Sequence, residues 1–453
     1  MTLTMAQVVG QFKQHWTWQL EDEQVAAACR EVGYTWRSGV LDPMRTLRVF
    51  LLQIVHGNTA CEHVRHLARA SFTASAYCQA RSRLPLRVLE LLLRGVSRKL
   101  QGTSLDQGRW RGHRTYLVDG SSFSMPDTPA LQAHFGQPPG QRAGCGFPTA
   151  HLLLLFHAES GLLLEVVAGP WRRHDLSGAA QLHPALRAGD VLVGDRGFCS
   201  YAHLALLSQQ EVHGVFRIHQ KQIVNFRPQR PHAGPGRRKK CDQGLPRSRW
   251  LQSLGVEDQV VEWFKPEECP AWITQREFAA LPDRLRVREL RYRVEDPAAR
   301  VHEITLVTTL VDAERYPLEA LAELYHTRWS VETNLSHLKR TLGLDVLKCK
   351  TVDGVLKEVL AFALVYNLVR QVMLAAAHRQ GVPVARVSFI DAMRWLALAV
   401  DGRPLCPLVI HPARPSRHEP RVRKRRPKNF PLMQKPRDQL RQTLGKQKAC
   451  AFA

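Results

Sequence analysis

The sequence predicts an α/β protein in which a mixed sheet with flanking helices follows a helical N-terminal region. Apolar residues recur at helical spacing up to about residue 105. Short apolar runs bounded by Gly, Asp and Pro begin at Tyr116, which is typical of strands. Helical periodicity returns from Pro317 to about Ala377. The length of 453 residues exceeds what one ordinary core takes up, so we expect more than one domain.

The N-terminal region, residues 1–105, is predicted to be a small helical bundle that binds DNA. Helical spacing covers residues 44–55, 61–67 and 86–96, and Thr59 with Glu62 could form a capping box for the second helix. Basic side chains on or beside these helices suit a helix-turn-helix-like DNA reader, and a solvated helix face is the alternative. These side chains are Arg65, Arg69, Arg81, Arg83 and Arg87.

Five strands are predicted next, within a second domain over residues 106–400, in which the candidate catalytic residues described below lie. They cover residues 116–118, 151–156, 162–167, 191–193 and 214–218. Three strands in succession, followed by alternating helix and strand, indicate a mixed sheet covered by helices.

Residues from about 220 to 301 are rich in Pro, Arg and Gly, and we expect a β-rich insertion there. Trp250 and the runs 260–264 and 285–294 indicate its strands. A buried strand resumes at residues 304–310.

The charge of the chain favours a polyanionic partner. It has 64 Lys and Arg against 40 Asp and Glu, a net charge of +24, and a sequence pI near 10.1.

The most apolar stretch, residues 355–377, contains three charged side chains, too many for an ordinary spanning helix. The N-terminus lacks the layout of a signal peptide, so we expect a cytoplasmic, nucleoid-associated protein that does not enter a membrane.

The C-terminal region, residues 404–453, is rich in Pro, Arg and Lys and is expected to be a disordered basic tail. Such a tail could bind DNA phosphates without sequence preference, or could act as a solubilising segment. Its most basic run comprises Arg421, Arg423, Lys424, Arg425 and Arg426.

Two aspartates follow predicted strands in similar contexts. Asp119 follows residues 116–118 and precedes Gly120, and Asp195 follows residues 191–194 and precedes Arg196. If the two strands are neighbours, their carboxylates meet and repel unless a divalent cation neutralises them. Two such cations, about 3.5–4 Å apart, can activate a water and stabilise the leaving oxygen in phosphodiester displacement. A lone Asp after a strand is otherwise a turn or cap residue.

A third carboxylate, Glu332, lies in a segment with helical spacing. Tyr325, Arg328, Glu332 and Lys339 are separated by three, four and seven residues, so they would share one face of a regular helix. That face suits a metal ligand flanked by phosphate-binding groups. The alternative is a surface Arg–Glu pair beside a half-buried tyrosine.

The motif Y-x2-R-x3-E-x6-K formed by these four residues resembles the signature of bacterial DDE transposases of the insertion-sequence-four type. The similarity extends from about residue 40 to residue 400, and further segments carry it. These segments are residues 119–121, 126–129, 144–148, 189–198, 306–310 and 366–368.

The resemblance implies a ribonuclease-H-like core with a catalytic triad of Asp119, Asp195 and Glu332. The triad would bind two Mg²⁺ or Mn²⁺ ions, and Tyr325, Arg328 and Lys339 would contact DNA phosphates near the cut. It also implies a β-rich insertion before the last catalytic residue, which matches the segment from about 220 to 301. Trp263 or Trp272 of that insertion could stack on an unpaired base, with a core tryptophan as the alternative.

The activity expected from this resemblance is cutting of transposon ends and joining of the 3′-hydroxyl to target DNA. The expected partners are double-stranded DNA, both transposon ends and target, and a second copy of the chain in a homodimer on DNA. Two alternatives remain open from the sequence. One is a catalytically silent DNA-binding protein, and the other is a metal nuclease that cuts without joining.

Overall fold

The computed structural model describes residues 22–68, 71–101, 109–172, 175–236, 240–296, 300–398, 407–412 and 433–443. The basic run at residues 421–426 and the first 21 residues, about which the sequence makes predictions, lie outside these ranges.

Five helices form the N-terminal part of the described chain. They are α1 (Asp22–Glu31), α2 (Pro43–Val55), α3 (Cys61–Leu67), α4 (Ala74–Arg83) and α5 (Leu86–Gln101). The sequence predicted α2, α3 and α5 and missed α4, whose first turn is capped by the Thr73 hydroxyl accepting from the Ala76 amide at 3.1 Å.

The predicted cap of α3 is wrong. Ala60 occupies the N-cap position, and the Thr59 hydroxyl hydrogen-bonds His63 Nδ1 at 2.8 Å instead of a backbone amide. The preceding Asn58 has φ 51° and its side-chain amide is held by Glu358, so a tertiary contact sets the chain direction before the helix begins.

Within the described part of the chain, one mixed sheet of nine strands follows, in the order β3-β2-β1-β4-β5-β9-β8-β7-β6. The first five strands are β1 (Thr115–Ser124), β2 (Thr149–His157), β3 (Leu163–Pro170), β4 (Val191–Gly194) and β5 (His213–Arg217). The other four are β6 (Ser248–Gly255), β7 (Asp258–Phe264), β8 (Arg284–Asp296) and β9 (Arg300–Thr308). Strands β1, β4 and β5 are parallel, and all other neighbours are antiparallel.

The five strands predicted for the catalytic domain are confirmed as β1 to β5. The β-rich segment is confirmed as well, but its strands β6 to β8 extend the central sheet through β9. Trp263 of β7 is a core residue, because it is buried and its indole N–H donates to Glu289 at 2.8 Å. Trp272 is half-buried and packs against the same core.

Helices cover both faces of the sheet. The remaining helices are α6 (Pro129–Phe135), α7 (Asp175–Leu182), α8 (Tyr201–Gln209), α9 (Gln275–Ala279), α10 (Leu318–His326), α11 (Trp329–Ser336), α12 (Val352–Gln380) and α13 (Phe389–Leu398). Side chains of β1 alternate between two cores, as the pleat of a strand requires. Leu117 joins the core that includes α12 and the N-terminal helices, whereas Tyr116 and Val118 join the core formed with α7 and α8.

Helix α12 is long and apolar enough to cross a membrane, yet 89% of its most apolar window is buried inside the protein. Its charged residues have partners there. Lys357 donates to the Ser82 carbonyl at 2.8 Å, and Arg370 Nε donates to the Ser160 carbonyl at 3.0 Å. The helix is therefore a core element of this fold.

The motif segment at residues 366–368 has a structural explanation in α12. Asn367 pairs with both backbone groups of Leu163, accepting from its N–H at 2.8 Å and donating to its carbonyl at 2.7 Å. The Tyr366 hydroxyl donates to the Gly161 carbonyl at 2.8 Å. These bonds fix the turn between β2 and β3.

Helix α12 also shares one hydrophobic core with α2 and α5 of the N-terminal region. The two predicted domains are therefore in contact, and the boundary predicted near residue 105 stays a prediction.

Candidate active site

Asp119 and Asp195 lie at the same level of two neighbouring parallel strands. Leu117 of β1 pairs with Val193 of β4, and each aspartate comes two residues after its member of that pair. Adjacent strands are about 4.8 Å apart, so the two carboxylates are brought together as the sequence predicted. Asp195 directly follows β4, but Asp119 lies inside β1, which continues to Ser124 paired with β2. The strand predicted over residues 116–118 therefore continues past Asp119.

Backbone amides hold one oxygen of each aspartate. Asp119 Oδ1 accepts from the Gly120 N–H at 2.8 Å, and Asp195 Oδ1 accepts from the Gly197 N–H at 2.8 Å. The second contact caps the 3₁₀ turn Arg196–Phe198. The carbonyl of Phe198 in turn accepts from His203 Nδ1 at 2.7 Å, so a buried histidine supports the turn that carries Asp195.

The ionisation of Asp119 depends on the other candidate residues. Burial raises the pKa of Asp119 to about 6, the Gly120 amide opposes that rise, and the negative charges of Asp195 and Glu332 add to it. The Arg328 guanidinium lowers the pKa of the same carboxyl. Asp119, Asp195, Glu332 and Arg328 thus share one electrostatic environment.

Glu332 lies on α11, which packs against β1. The prediction of one regular helix over residues 324–339 is wrong, because α10 ends at His326 and α11 begins at Trp329. Bonds of the i→i−3 type tighten the junction, including Arg328 N–H to the Tyr325 carbonyl at 3.0 Å and Val331 N–H to the Arg328 carbonyl at 3.0 Å. Arg328 and Glu332 remain neighbours, with Nη2 and Oε1 3.8 Å apart.

Arg328 is the cation of the sequence motif that lies beside Glu332 and lowers the pKa of Asp119. Its side chain is 13% exposed, and its carbon Cζ lies 5.8 Å from the Tyr325 ring centroid and 5.2 Å from that of Trp329. Its buried Nε has no hydrogen-bond partner among the described residues. Tyr325 is 3% exposed, and burial raises its pKa while Arg328 opposes the rise. One N–H of Arg328 is therefore left without an acceptor among the described residues.

Lys339 lies in the element that follows α11. It belongs to a π-helical turn, His337–Thr341, which follows α11 and has more residues per turn than an α-helix. Burial lowers the pKa of Lys339, Asp345 opposes that effect and Arg340 adds to it. The turn interrupts the regular helical spacing between Glu332 and Lys339, so a shared face for the two side chains stays a prediction.

The donor set suits a hard divalent cation, since it consists of carboxylate oxygens. Within the described ranges, however, no three His, Cys, Asp or Glu side chains are close enough to hold one ion. The Glu332 side chain is 47% exposed and lies next to Arg328. The two aspartates fit such an ion, and Glu332 would have to leave Arg328 to join them.

Arg217 is a further residue of the site that sequence reasoning missed. Phe216 of β5 pairs with Gly194 of β4, so Arg217 lies opposite Asp195 on the next parallel strand. The Arg217 charge lowers the pKa of Tyr325. No local signal marked Arg217, because it lies inside the strand predicted over residues 214–218 and its place at the site comes from the pairing of β5 with β4.

The comparison with protein families decides the identity of the chain. The family model described as the transposase DDE domain matches residues 110–368, more than half of the chain. The chain belongs to the DDE transposases. The match includes all three carboxylates and both strands that carry the aspartates.

Two curated relatives of this DDE transposase come from Escherichia coli (strain K12). The transposase InsG for insertion sequence element IS4 is 24% identical over 380 residues, covering 80% of this chain and 78% of InsG. The putative transposase InsZ is 26% identical over 137 residues, covering 30% of this chain and 46% of InsZ. These relatives agree with the insertion-sequence-four type that the sequence motif indicated.

Among solved structures, the piggyBac transposase in a synaptic complex with hairpin DNA has a TM-score of 0.42 and 10% identity, covering 85% of this chain and 78% of that one.

As a DDE transposase, the chain binds DNA and carries out DNA transposition by metal-dependent cleavage and strand transfer.

Proposed function

We propose that this transposase cuts its element's ends and joins the freed 3′-hydroxyl to target DNA with Asp119, Asp195 and Glu332 as catalytic carboxylates. The observation that carries the proposal is the shared register of Asp119 and Asp195 on parallel strands, with α11 bringing Glu332 against β1. The raised pKa of Asp119 supports it, because burial and then the charges of Asp195 and Glu332 disfavour the carboxylate, and a bound cation would offset both effects.

We infer that the cofactor is Mg²⁺ or Mn²⁺, with two ions per site. Such ions, when bound, would supply Lewis-acid activation of the attacking oxygen and neutralise charge on the leaving oxygen. Asp119 and Asp195 would hold them through the oxygens that the Gly120 and Gly197 amides leave accessible. Glu332 would be the third ligand, and Arg328 lies beside it with Nη2 and Oε1 3.8 Å apart.

Arg328 has the strongest support as a contact for DNA phosphate. It is largely buried, its Nε lacks a partner within the described chain, and a guanidinium matches phosphate geometry. Tyr325 is too buried to present its ring to DNA, so we propose that it positions Arg328. Arg217 supplies a second cation at this edge of the sheet. Lys339 remains a proposal that rests on the sequence motif.

The wider assignment follows from the same family membership. We propose a ribonuclease-H-like core, supported by the three consecutive strands β1 to β3 and the parallel strands β4 and β5. We further propose that the helical N-terminal region, residues 1–105, binds DNA, that the protein acts in the cytoplasm with the nucleoid, and that it works as a homodimer. Pairing of two transposon ends requires at least two active sites on DNA.

The test uses the full-length protein and a labelled duplex that carries the element's own ends. The duplex is incubated with Mg²⁺ or with EDTA, and both cut and joined products are measured. We expect joined products in Mg²⁺, none in EDTA, and none with Glu332→Gln, because the substitution removes a metal-ligating charge.

Glu323→Gln is the matched control, since Glu323 is an exposed glutamate on α10 just before the motif. It should retain wild-type yields of both products. Cleavage without joining would favour a nuclease, and salt-sensitive binding without cleavage by any variant would favour a silent DNA-binding protein. Cleavage by Glu332→Gln at the wild-type rate would contradict the assignment of Glu332.

A further inference from the structure

The C-terminal segment, residues 433–443, packs back onto the loops that connect β1 to β2. Two of those loops contain the sequence motifs 126–129 and 144–148, for which the catalytic proposal gives no role. Arg437 is the centre of the contact. Its Nη1 donates to Asp127 Oδ2 at 3.0 Å and to the Gly146 carbonyl at 3.1 Å. Its guanidinium lies 3.9 Å from the centroid of the Phe147 ring.

Backbone contacts seat the segment on both sides of Arg437. The Arg437 N–H donates to the Gly144 carbonyl at 3.3 Å, and the Arg142 guanidinium donates to the Gln434 carbonyl at 3.3 Å. Pro436 lies against Gly144, where an added Cβ would be 3.0 Å from the proline Cβ. Gly144 also has φ +76°, so glycine suits this position for both reasons.

The site is shaped by residues other than its occupant. Gln132 Nε2 donates to Asp127 Oδ1 at 2.7 Å and to the Gly146 carbonyl at 2.8 Å. Gln137 Oε1 accepts from the Gly144 and Gly146 amides at 3.1 and 3.2 Å. These bonds hold the Asp127 carboxylate and the Gly146 carbonyl in place without any contribution from Arg437. A preformed binding site requires such independent support.

We propose that Asp127, Gly146 and Phe147 form a binding site for a peptide arginine, and that Arg437 of the same chain occupies it. The site supplies a carboxylate, a carbonyl acceptor and an aromatic face, the three partners that a planar guanidinium uses together. An ammonium group cannot span them in the same way. The interaction anchors the C-terminal segment beside the carboxyl end of β1, the strand that carries Asp119.

Hydrogen–deuterium exchange of the peptide covering residues 433–443 tests this anchor in the full-length protein. We expect exchange about 10-fold faster in Asp127→Asn, because the charge-assisted bond to Arg437 is lost while the peptide's own sequence is unchanged. Arg437→Gln should give a similar increase, and Arg437→Lys an intermediate one. Combining Asp127→Asn with Arg437→Gln should add little to either single change.

Arg441→Gln is the matched control. Arg441 is exposed on the same segment and pairs with Asp438 at 3.0 Å, so its loss should leave exchange nearly unchanged. Equal exchange in Asp127→Asn, Arg437→Gln and the control would overturn the proposal. Unchanged exchange elsewhere in the chain shows that the variants are folded.

The identity of the occupant is tested by dilution. An anchor within one chain gives protection that does not depend on protein concentration. Protection that falls as the wild-type protein is diluted would assign the occupant to a second copy and overturn the intrachain assignment.

Discussion

Asp119 and Asp195 stand at the same level of two neighbouring parallel strands, each two residues beyond the paired residues Leu117 and Val193. The two side chains come from positions far apart in sequence, and the sheet register alone brings them together. Under the proposed function the two aspartates act as one unit, so their variants should behave alike.

Asp119→Asn and Asp195→Asn should each reduce the rate of DNA cleavage by at least about 1000-fold, because each removes a ligand charge from the same site. The double variant should be no worse than either single one, since residues that act as a unit are not additive. Single-turnover cleavage of the labelled duplex measures these rates. Additive losses in the double variant would show that the aspartates act separately.

Arg328→Gln should weaken DNA binding and make it less dependent on salt. Loss of one phosphate contact reduces the slope of log affinity against log salt by about one. Arg340→Gln, an exposed arginine of the π-helical turn, is the comparison variant. Binding isotherms at several salt concentrations measure the slopes, and equal slopes for both variants would remove Arg328 from the DNA contact.

The buried pair His183 and His203 should make the protein less stable in acid. Burial lowers the pKa of His183 to about 3 and that of His203 to about 4, whereas both titrate near 6.5 when unfolded. The unfolded chain therefore takes up protons that the folded chain does not. The stabilisation is fully present above pH 6.5 and is lost as the pH falls from 6.5 towards 4.

His183→Phe tests this pH dependence while retaining a ring to stack on His203, whose Nε2 lies 3.0 Å from His183 Nε2. The free energy of unfolding should fall less steeply with decreasing pH, by up to about 1.4 kcal/mol per pH unit for the histidine removed. Urea unfolding across the range measures the slope. A slope equal to that of the wild type would show that His183 is protonated in the folded state.

Glu358→Gln should destabilise the fold by about 2–4 kcal/mol, because a buried carboxylate that accepts several bonds is lost. Glu358 accepts from the backbone amides of Lys348 at 3.0 Å and Cys349 at 2.9 Å, and from the Asn58 side chain. It therefore joins α12 to the N-terminal helices. Urea unfolding measures the change, and Glu323→Gln, an exposed carboxylate, should change stability by less than about 0.5 kcal/mol.

The strands that carry the aspartates could be predicted because their signal is local. Residues 116–118 and 191–193 are apolar runs, and each precedes an acidic residue and a glycine. The continuation of β1 past Asp119 could not be predicted, because residues 120–122 are Gly-Ser-Ser and their strand geometry comes from pairing with β2.

Features that depend on tertiary contacts were the ones that the sequence did not reveal. The break between α10 and α11 leaves the spacing of Tyr325, Arg328 and Glu332 unchanged, so periodicity cannot detect it. The π-helical turn at Lys339 is hidden for the same reason. Arg217 required the register of β5 against β4, which no local pattern encodes.

A change in metal preference would test the central claim most directly, namely that Asp195 binds the catalytic metal. Asp195→Cys replaces a hard oxygen ligand with a thiolate, which Mg²⁺ binds poorly and Mn²⁺ accepts more readily. We predict that cleavage by Asp195→Cys is lost in Mg²⁺ and recovers by at least about 10-fold in Mn²⁺, whereas Asp195→Ser recovers in neither. Equal responses of the two variants to Mn²⁺, or wild-type cleavage by Asp195→Cys in Mg²⁺, would contradict the assignment of Asp195 as a metal ligand.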